Sequence, residues 1–149
     1  MVWIFFLPSP FLPLDSILLA TPPYGKRIIS NVDGGNFEGP NIKGTVQPPA
    51  GNWLLIQADN SVQLDARVSL VRGDNTLIYM NYQGLRTGQQ SVLDRFAAGE
   101  DVDPREYYMR TMCKFETADG KYDWLSQLLA AGTDQRFPDL VVYDIHQII

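Results

Sequence analysis

Residues 62–71, Val62-Gln63-Leu64-Asp65-Ala66-Arg67-Val68-Ser69-Leu70-Val71, alternate between apolar and polar side chains along most of their length. In an extended chain Val62, Leu64, Ala66, Val68 and Leu70 share one face, and Gln63, Asp65, Arg67 and Ser69 share the other. That two-residue period predicts a β-strand with one greasy side. Gly73-Asp74-Asn75 follows and is read as a hairpin turn, because Asp and Asn tolerate the left-handed backbone that a tight reversal needs. The next run, Thr76 to Gln83, sets Ile78, Met80 and Tyr82 against Leu77, Tyr79, Asn81 and Gln83. The two runs therefore pair as one long antiparallel hairpin.

Working outward, Lys26 to Val32, Asn36 to Val46 and Trp53 to Ala58 read as further strands. Gly34-Gly35, Gly39-Pro40 and Pro48-Pro49-Ala50-Gly51 read as turns or bends between them, and Gly44 as a bulge. Downstream, Ser91 to Gly99 is the best helix, with Ser91 as N-cap, Asp94 in the first turn and Gly99 as the stop. Tyr107 to Glu116 and Leu140 to Ile148 return to strand character. Asp123 to Leu129 is ambiguous between a helical turn and a strand. Trp3-Ile4-Phe5-Phe6-Leu7 reads as an N-terminal strand followed by a Pro-rich connection. A signal peptide fits poorly, since Lys26 is the first basic residue and Pro8, Pro10 and Pro13 interrupt the apolar run. A spanning helix would need about 20 apolar residues.

Several short antiparallel strands imply a sandwich or a barrel, and closure removes exposed edges. The expected fold is all-β: a single antiparallel β-barrel of eight to ten strands with one short helix across an end, residues 1–149 forming one domain. Alternation alone leaves open whether the polar faces line the barrel or its outside.

Composition narrows the function. The chain has 149 residues, 45% of them apolar, and carries a net charge of −5 with 12 basic against 17 acidic residues. About two-thirds of the surface exposed by an unfolded chain of this size can be buried, so one core suffices. No basic run exceeds Lys26-Arg27, which argues against a nucleic-acid partner. Cys113 and His146 are single representatives of their types, so intrachain disulfides, Cys/His zinc sites and most nucleophilic triads are excluded. Gly34-Gly35 with Glu38-Gly39-Pro40 lacks the following helix of a phosphate cradle. Asp101, Asp103 and Glu106 lack the spacing of a calcium loop and read as a solvated acidic loop. Cys113 is expected to be a small buried filler. The expectation is a cytoplasmic protein with no cofactor, no metal and no membrane partner.

Asp65, Arg67, Tyr108, Arg110 and Glu116 recur at alternate positions of long strands. If these faces line the barrel, the carboxylates are buried and suited to proton transfer, while Tyr108 and Arg110 polarise a ligand oxygen. On a solvated or dimer-facing surface the same residues are cross-strand ion pairs. Trp53, Tyr79, Asn81 and Trp124, with Glu38, are the candidate ligand contacts, the aromatic rings suiting an apolar cavity or, equally, ordinary core packing.

Tyr24-Gly25-Lys26-Arg27, Gly34-Gly35-Asn36-Phe37-Glu38-Gly39-Pro40, Leu64-Asp65-Ala66-Arg67, Val102-Asp103-Pro104, Tyr107-Tyr108-Met109-Arg110, Phe115-Glu116-Thr117 and Tyr122-Asp123-Trp124-Leu125 carry a further signal. Together they resemble the domain-of-unknown-function family 3237, also called uncharacterised protein family 0311, over most of the chain from Tyr24 onward. Residues 1–23 match it poorly. The resemblance implies a small antiparallel barrel, often paired as a homodimer, and, for some members, tailoring proteins of microbial or fungal secondary metabolism. Two departures stand out: Asn52-Trp53 where the family usually has Asp-Trp, and Trp124-Leu125-Ser126 where it has Trp-Leu-Asn. The expected function is a cofactor-independent isomerase, cyclase or dehydratase acting on a hydrophobic or aromatic small molecule by general acid/base catalysis. A non-catalytic carrier barrel is the alternative, and a structural or interaction module with a filled interior the third reading.

Overall fold

The computed structural model describes residues 2–8, 17–18, 23–137 and 140–149, the first two segments by their backbone alone. Among the described residues there are ten strands: β1 Val2–Pro8, β2 Ile17–Leu18, β3 Lys26–Asn31, β4 Gly35–Gly39, β5 Ile42–Ile56, β6 Val62–Arg72, β7 Leu77–Gly88, β8 Tyr107–Thr117, β9 Ala130–Arg136 and β10 Leu140–Gln147. One α-helix, α1 Gln90–Ala97, links β7 to β8, and a 3-10 segment, Gly120–Gln127, links β8 to β9.

The ladders form a circuit. From β5 the pairing passes through β4, β1, β10, β9, β8, β7 and β6 and returns to β5, antiparallel throughout. β4 occupies only the first half of one edge of β5, from Ile42 to Val46. The second half of that edge, Gly51 to Ile56, pairs with β3, which in turn pairs with β2. The β2–β3 ribbon thus leaves the circuit as a flap, and the sheet divides where β3 and β4 part.

Burial follows the sequence alternation. Val62, Leu64, Ala66, Val68 and Leu70 of β6 face inward with Ile78, Met80 and Tyr82 of β7, and Tyr107, Met109, Cys113 and Phe115 of β8. One end of the barrel is filled by Phe37, Ile42, Leu70, Ile78 and Phe115, under Tyr122 and Leu125 of the 3-10 segment. Helix α1 packs at the opposite end. Its Val92, Leu93 and Phe96 form one buried stripe, and the backbone stops at Gly99, whose φ of +80° places it in the left-handed region.

Several expectations need correction. Asn36 to Val46 is not one strand: it folds into the β4–β5 hairpin at Pro40-Asn41. Pro48-Pro49-Ala50-Gly51 does not separate two strands but is a bulge within β5, where the five residues from Gln47 to Gly51 oppose the three from Ser69 to Arg67. The two extra residues are an even number, so the alternation stays in phase and Asn52 faces the same side as Val46. Gly44 is not the bulge. It pairs regularly with Arg72, and its missing Cβ admits the Val71 carbonyl and the Phe37 ring. Ser91 lies inside α1 rather than capping it, Gln89 being the N-cap without a side-chain bond. Asp94 is not in the first turn and instead accepts from Gln90 and Asn60. Asp123 to Leu129 resolves largely into 3-10 turns, and β9 was not read from sequence at all.

Candidate functional site in the barrel lumen

The outer surface of the barrel is polar and its lumen is greasy, which settles the question alternation left open. Asp65 and Arg67 point outward from β6 and pair with each other at 3.4 Å, both partly exposed. The Arg67 guanidinium lies 4.9 Å from the ring centroid of Trp53, on the outside of β5. Tyr79 and Asn81 occupy the outer face of β7, the Asn81 amide donating to the Ala66 carbonyl at 3.0 Å. Tyr108, Arg110 and Glu116 occupy the outer face of β8, with Arg110 over the Tyr108 ring at 4.9 Å. Glu38 is exposed beside Lys43, and Trp124 packs onto the core from the 3-10 segment. None of these ten residues lines the lumen cavity. Tyr108, Arg110 and Glu116 do share one face of β8, but Glu116 stands six residues, about 20 Å, along the strand from Arg110, and the face is the wet one. The lumen placement on which their acid/base reading depended is therefore not met.

The cavity is at the α1 end, with a volume of about 250 Å³. Its wall spans the division in the sheet, from Lys26 and Ile28 of β3 to Arg136 of β9 and Val141 and Tyr143 of β10. Asn52, Leu54 and Ile56 of β5 and Val62 and Leu64 of β6 form one side, and Arg86, Met109, Phe96 and Ala97 complete the mouth. Most of this wall is hydrocarbon, as expected of a site that takes an apolar molecule and orients it with a few polar groups. Asn52 is buried, and its Oδ1 accepts from the Asp65 backbone N–H at 3.2 Å.

Two guanidiniums converge on α1. Arg86 lies 4.3 Å from the Phe96 centroid and Arg136 lies 5.3 Å from it. Phe96 is held in turn by the edge of Tyr107 at 4.7 Å, and the Tyr107 hydroxyl accepts from the Arg136 backbone N–H at 2.8 Å. Burial lowers Arg86 to about 10, and burial together with the like charge of Arg86 lowers Arg136 to about 10.

Toward the interior from the cavity lies a buried polar cluster. The hydroxyls of Tyr82 and Tyr143 are 2.8 Å apart, and burial raises both phenols well above their ordinary value, so they stay neutral. Tyr143 sits opposite Asp134 in the β9–β10 ladder. Asp134 is 2% exposed; its Oδ1 accepts from the Thr111 hydroxyl at 3.2 Å, while Oδ2 has no partner among the described residues. Burial pushes this carboxyl up to about 7, against the Thr111 hydrogen bond and the Arg110 charge, which pull it down. Gly132 makes the arrangement possible, because a Cβ there would stand 2.6 Å from Asp134 Oδ1. Cys113, fully buried beside Thr111, has its thiol pushed up to about 12 by burial.

Sequence reasoning missed Arg86, Phe96, Arg136, Tyr143 and Asp134. One signal was readable: Ile78, Met80, Tyr82, Gly84 and Arg86 share parity, so Arg86 is a charge on a greasy face. Asp134 offered no such signal, since Ala130-Ala131-Gly132-Thr133-Asp134-Gln135 has almost no β-branched or aromatic residue. Elsewhere, Asp103 accepts from the Arg105 backbone at 2.9 Å and Glu106 pairs with Arg95 at 2.9 Å. Among the described residues no acidic or Cys/His cluster is arranged to hold a metal. No helix among them is long and apolar enough to cross a membrane.

The molecule is thus a small antiparallel β-barrel with a ligand-sized lumen at its helical end. Residues 9–148 match the model of the family described as "Protein of unknown function (DUF3237)", and the chain belongs to that family. A UPF0311 protein of Rhodopseudomonas palustris (strain TIE-1) is 34% identical over 125 residues, covering 84% of this chain and 82% of the relative. The crystal structure of a protein of Acinetobacter baumannii AYE described as beta-barrel like superposes with a TM-score of 0.80 at 34% identity, covering 97% of this chain and 91% of that one. The structure of an enzyme from Penicillium herquei shares the fold with a TM-score of 0.64 at 17% identity, covering 98% and 91%.

Proposed function

We propose that the lumen holds a hydrophobic or aromatic small molecule and that the protein is a cofactor-independent enzyme of secondary metabolism, isomerising, cyclising or dehydrating that molecule by acid/base action. The observation that carries this reading is the cavity of about 250 Å³, hydrocarbon over most of its wall and bordered by a neutral phenol, an amide and guanidiniums. Tyr143 would donate its hydroxyl to a ligand oxygen, with the Tyr82 hydroxyl behind it. Asp134, whose carboxyl titrates near 7, supplies a proton store next to that pair, in the range suited to general acid/base work. The Penicillium herquei neighbour described as an enzyme supports the fold's suitability for catalysis.

A carrier is the second reading, favoured by one observation: Asp134 lies behind the cavity wall rather than in it. Incubation of the purified protein with an organic extract of its native host, followed by mass spectrometry against a heat-denatured control, separates the two. A consumed component replaced by one of equal mass, or eighteen mass units lighter, supports the enzyme. A component retained unchanged supports the carrier. Ala97→Trp, at an exposed position on the cavity mouth, is expected to abolish either result. Undiminished activity or retention in that variant would refute the lumen as the site.

A further inference from the structure

We propose that the lumen ligand carries a planar oxyanion of the carboxylate type at one end of an apolar body, and that Arg86 and Arg136 receive it. The proposal rests on the lumen being the ligand site and specifies what that site recognises. The first support is charge: the cavity wall carries Lys26, Arg86 and Arg136 and, among the described residues, no carboxylate, although the chain has a net charge of −5. Basic residues are the minority here, yet among the described residues they alone of the charged types reach the cavity.

The second support is the state of Arg86. It is mostly buried, its Nε has no hydrogen-bond partner, and among the described residues it enters no ion pair. Its contact is with the face of Phe96, at 4.3 Å. A ring face offsets only part of what a guanidinium loses on leaving water, and a fold keeps an uncompensated buried charge only where something repays it. The third is the proximity of Arg136, whose guanidinium lies over the same ring and whose charge is disfavoured by that of Arg86. One carboxylate between them would accept paired N–H donors from the planar fork of either. Tyr107, fixing both the Phe96 ring and the Arg136 backbone, holds the pair in place before the ligand arrives. The oxyanion would sit at the α1 end, with Leu54, Leu64 and Val141 around the hydrocarbon.

Calorimetric titration of the full chain with 2-naphthoate and with 2-naphthamide tests this, since the two probes share a ring system and differ in charge. The expected result is naphthoate bound at least about tenfold more tightly than the amide, with Arg86→Met removing the preference and leaving the amide's affinity in place. Equal affinity of the two probes would overturn the oxyanion assignment while leaving the lumen as a ligand site. Binding of neither would overturn both readings. A preference that survives in Arg86→Met and in Arg136→Met would also overturn the assignment. Should Arg86→Met not fold, Ala97→Trp decides: a naphthoate preference that persists with the mouth blocked puts the anion outside the lumen.

Discussion

Asp134→Asn should make the protein's stability less dependent on pH, in a direction opposite to that of a salt-bridged carboxylate. The Asp134 carboxyl titrates near 7 in the folded chain because of burial, against an ordinary value of 3.8. Between these values the folded state holds a proton that the unfolded state has released. Stability is therefore fully present below about pH 4 and falls as pH rises toward 7. Each pH unit within the window removes about 1.4 kcal/mol, so the step from pH 5 to pH 7 removes about 2 kcal/mol and the whole shift about 4 kcal/mol. Exposed carboxylates such as Asp74 and Asp103, lowered to about 2 by hydrogen bonds, act in the opposite sense at lower pH and are common to both proteins. Urea unfolding of the wild type and Asp134→Asn at pH 5, 6, 7 and 8 isolates the effect as the difference between the two curves. The wild type should lose about 2 kcal/mol relative to the variant between pH 5 and 7. Parallel curves would refute the argument that this buried carboxyl is kept protonated by the fold.

Tyr82→Phe should cost about 1–3 kcal/mol in urea unfolding, because the Tyr143 hydroxyl loses its buried partner; Tyr143→Phe added to it should cost much less than the first change, and simple additivity would count against a shared hydrogen bond. Arg67→Ala and Glu116→Gln, both on the outer face, should each change stability by less than about 1 kcal/mol and leave naphthoate titrations unaltered. Loss of that binding in either variant would return the site to the outside of the barrel.

Legibility followed the range of the interactions concerned. The β6–β7 hairpin could be read because its register, Val62 to Arg86 through Val71 to Leu77, follows from one tight turn and a strict alternation. Gly99 as the helix stop was equally local. The Pro48-Pro49 bulge looked like a break because prolines disfavour a central strand, and only pairing with β6 on the far side carries β5 through it. The candidate site was misplaced for a different reason. Polar residues at alternate positions say that one face is wet, and a barrel has two faces with different fates.

Residue order alone settled the strand period, the Gly73-Asp74-Asn75 turn, the want of a second cysteine for an intrachain disulfide, and the family, because each depends on neighbours along the chain or on composition. Closure of the circuit from β5 back to β6 decided everything else. It turned the long polar faces outward and made the greasy ones a lumen. It also brought Arg86 of β7, Phe96 of α1 and Arg136 of β9 to one cavity mouth. Arg136 stands forty residues beyond Phe96 and fifty beyond Arg86 in the chain, and nothing among its own neighbours marks it. Their charge and proximity acquire chemical meaning only in a shared low-dielectric space, and that space exists only after the sheet has folded round on itself.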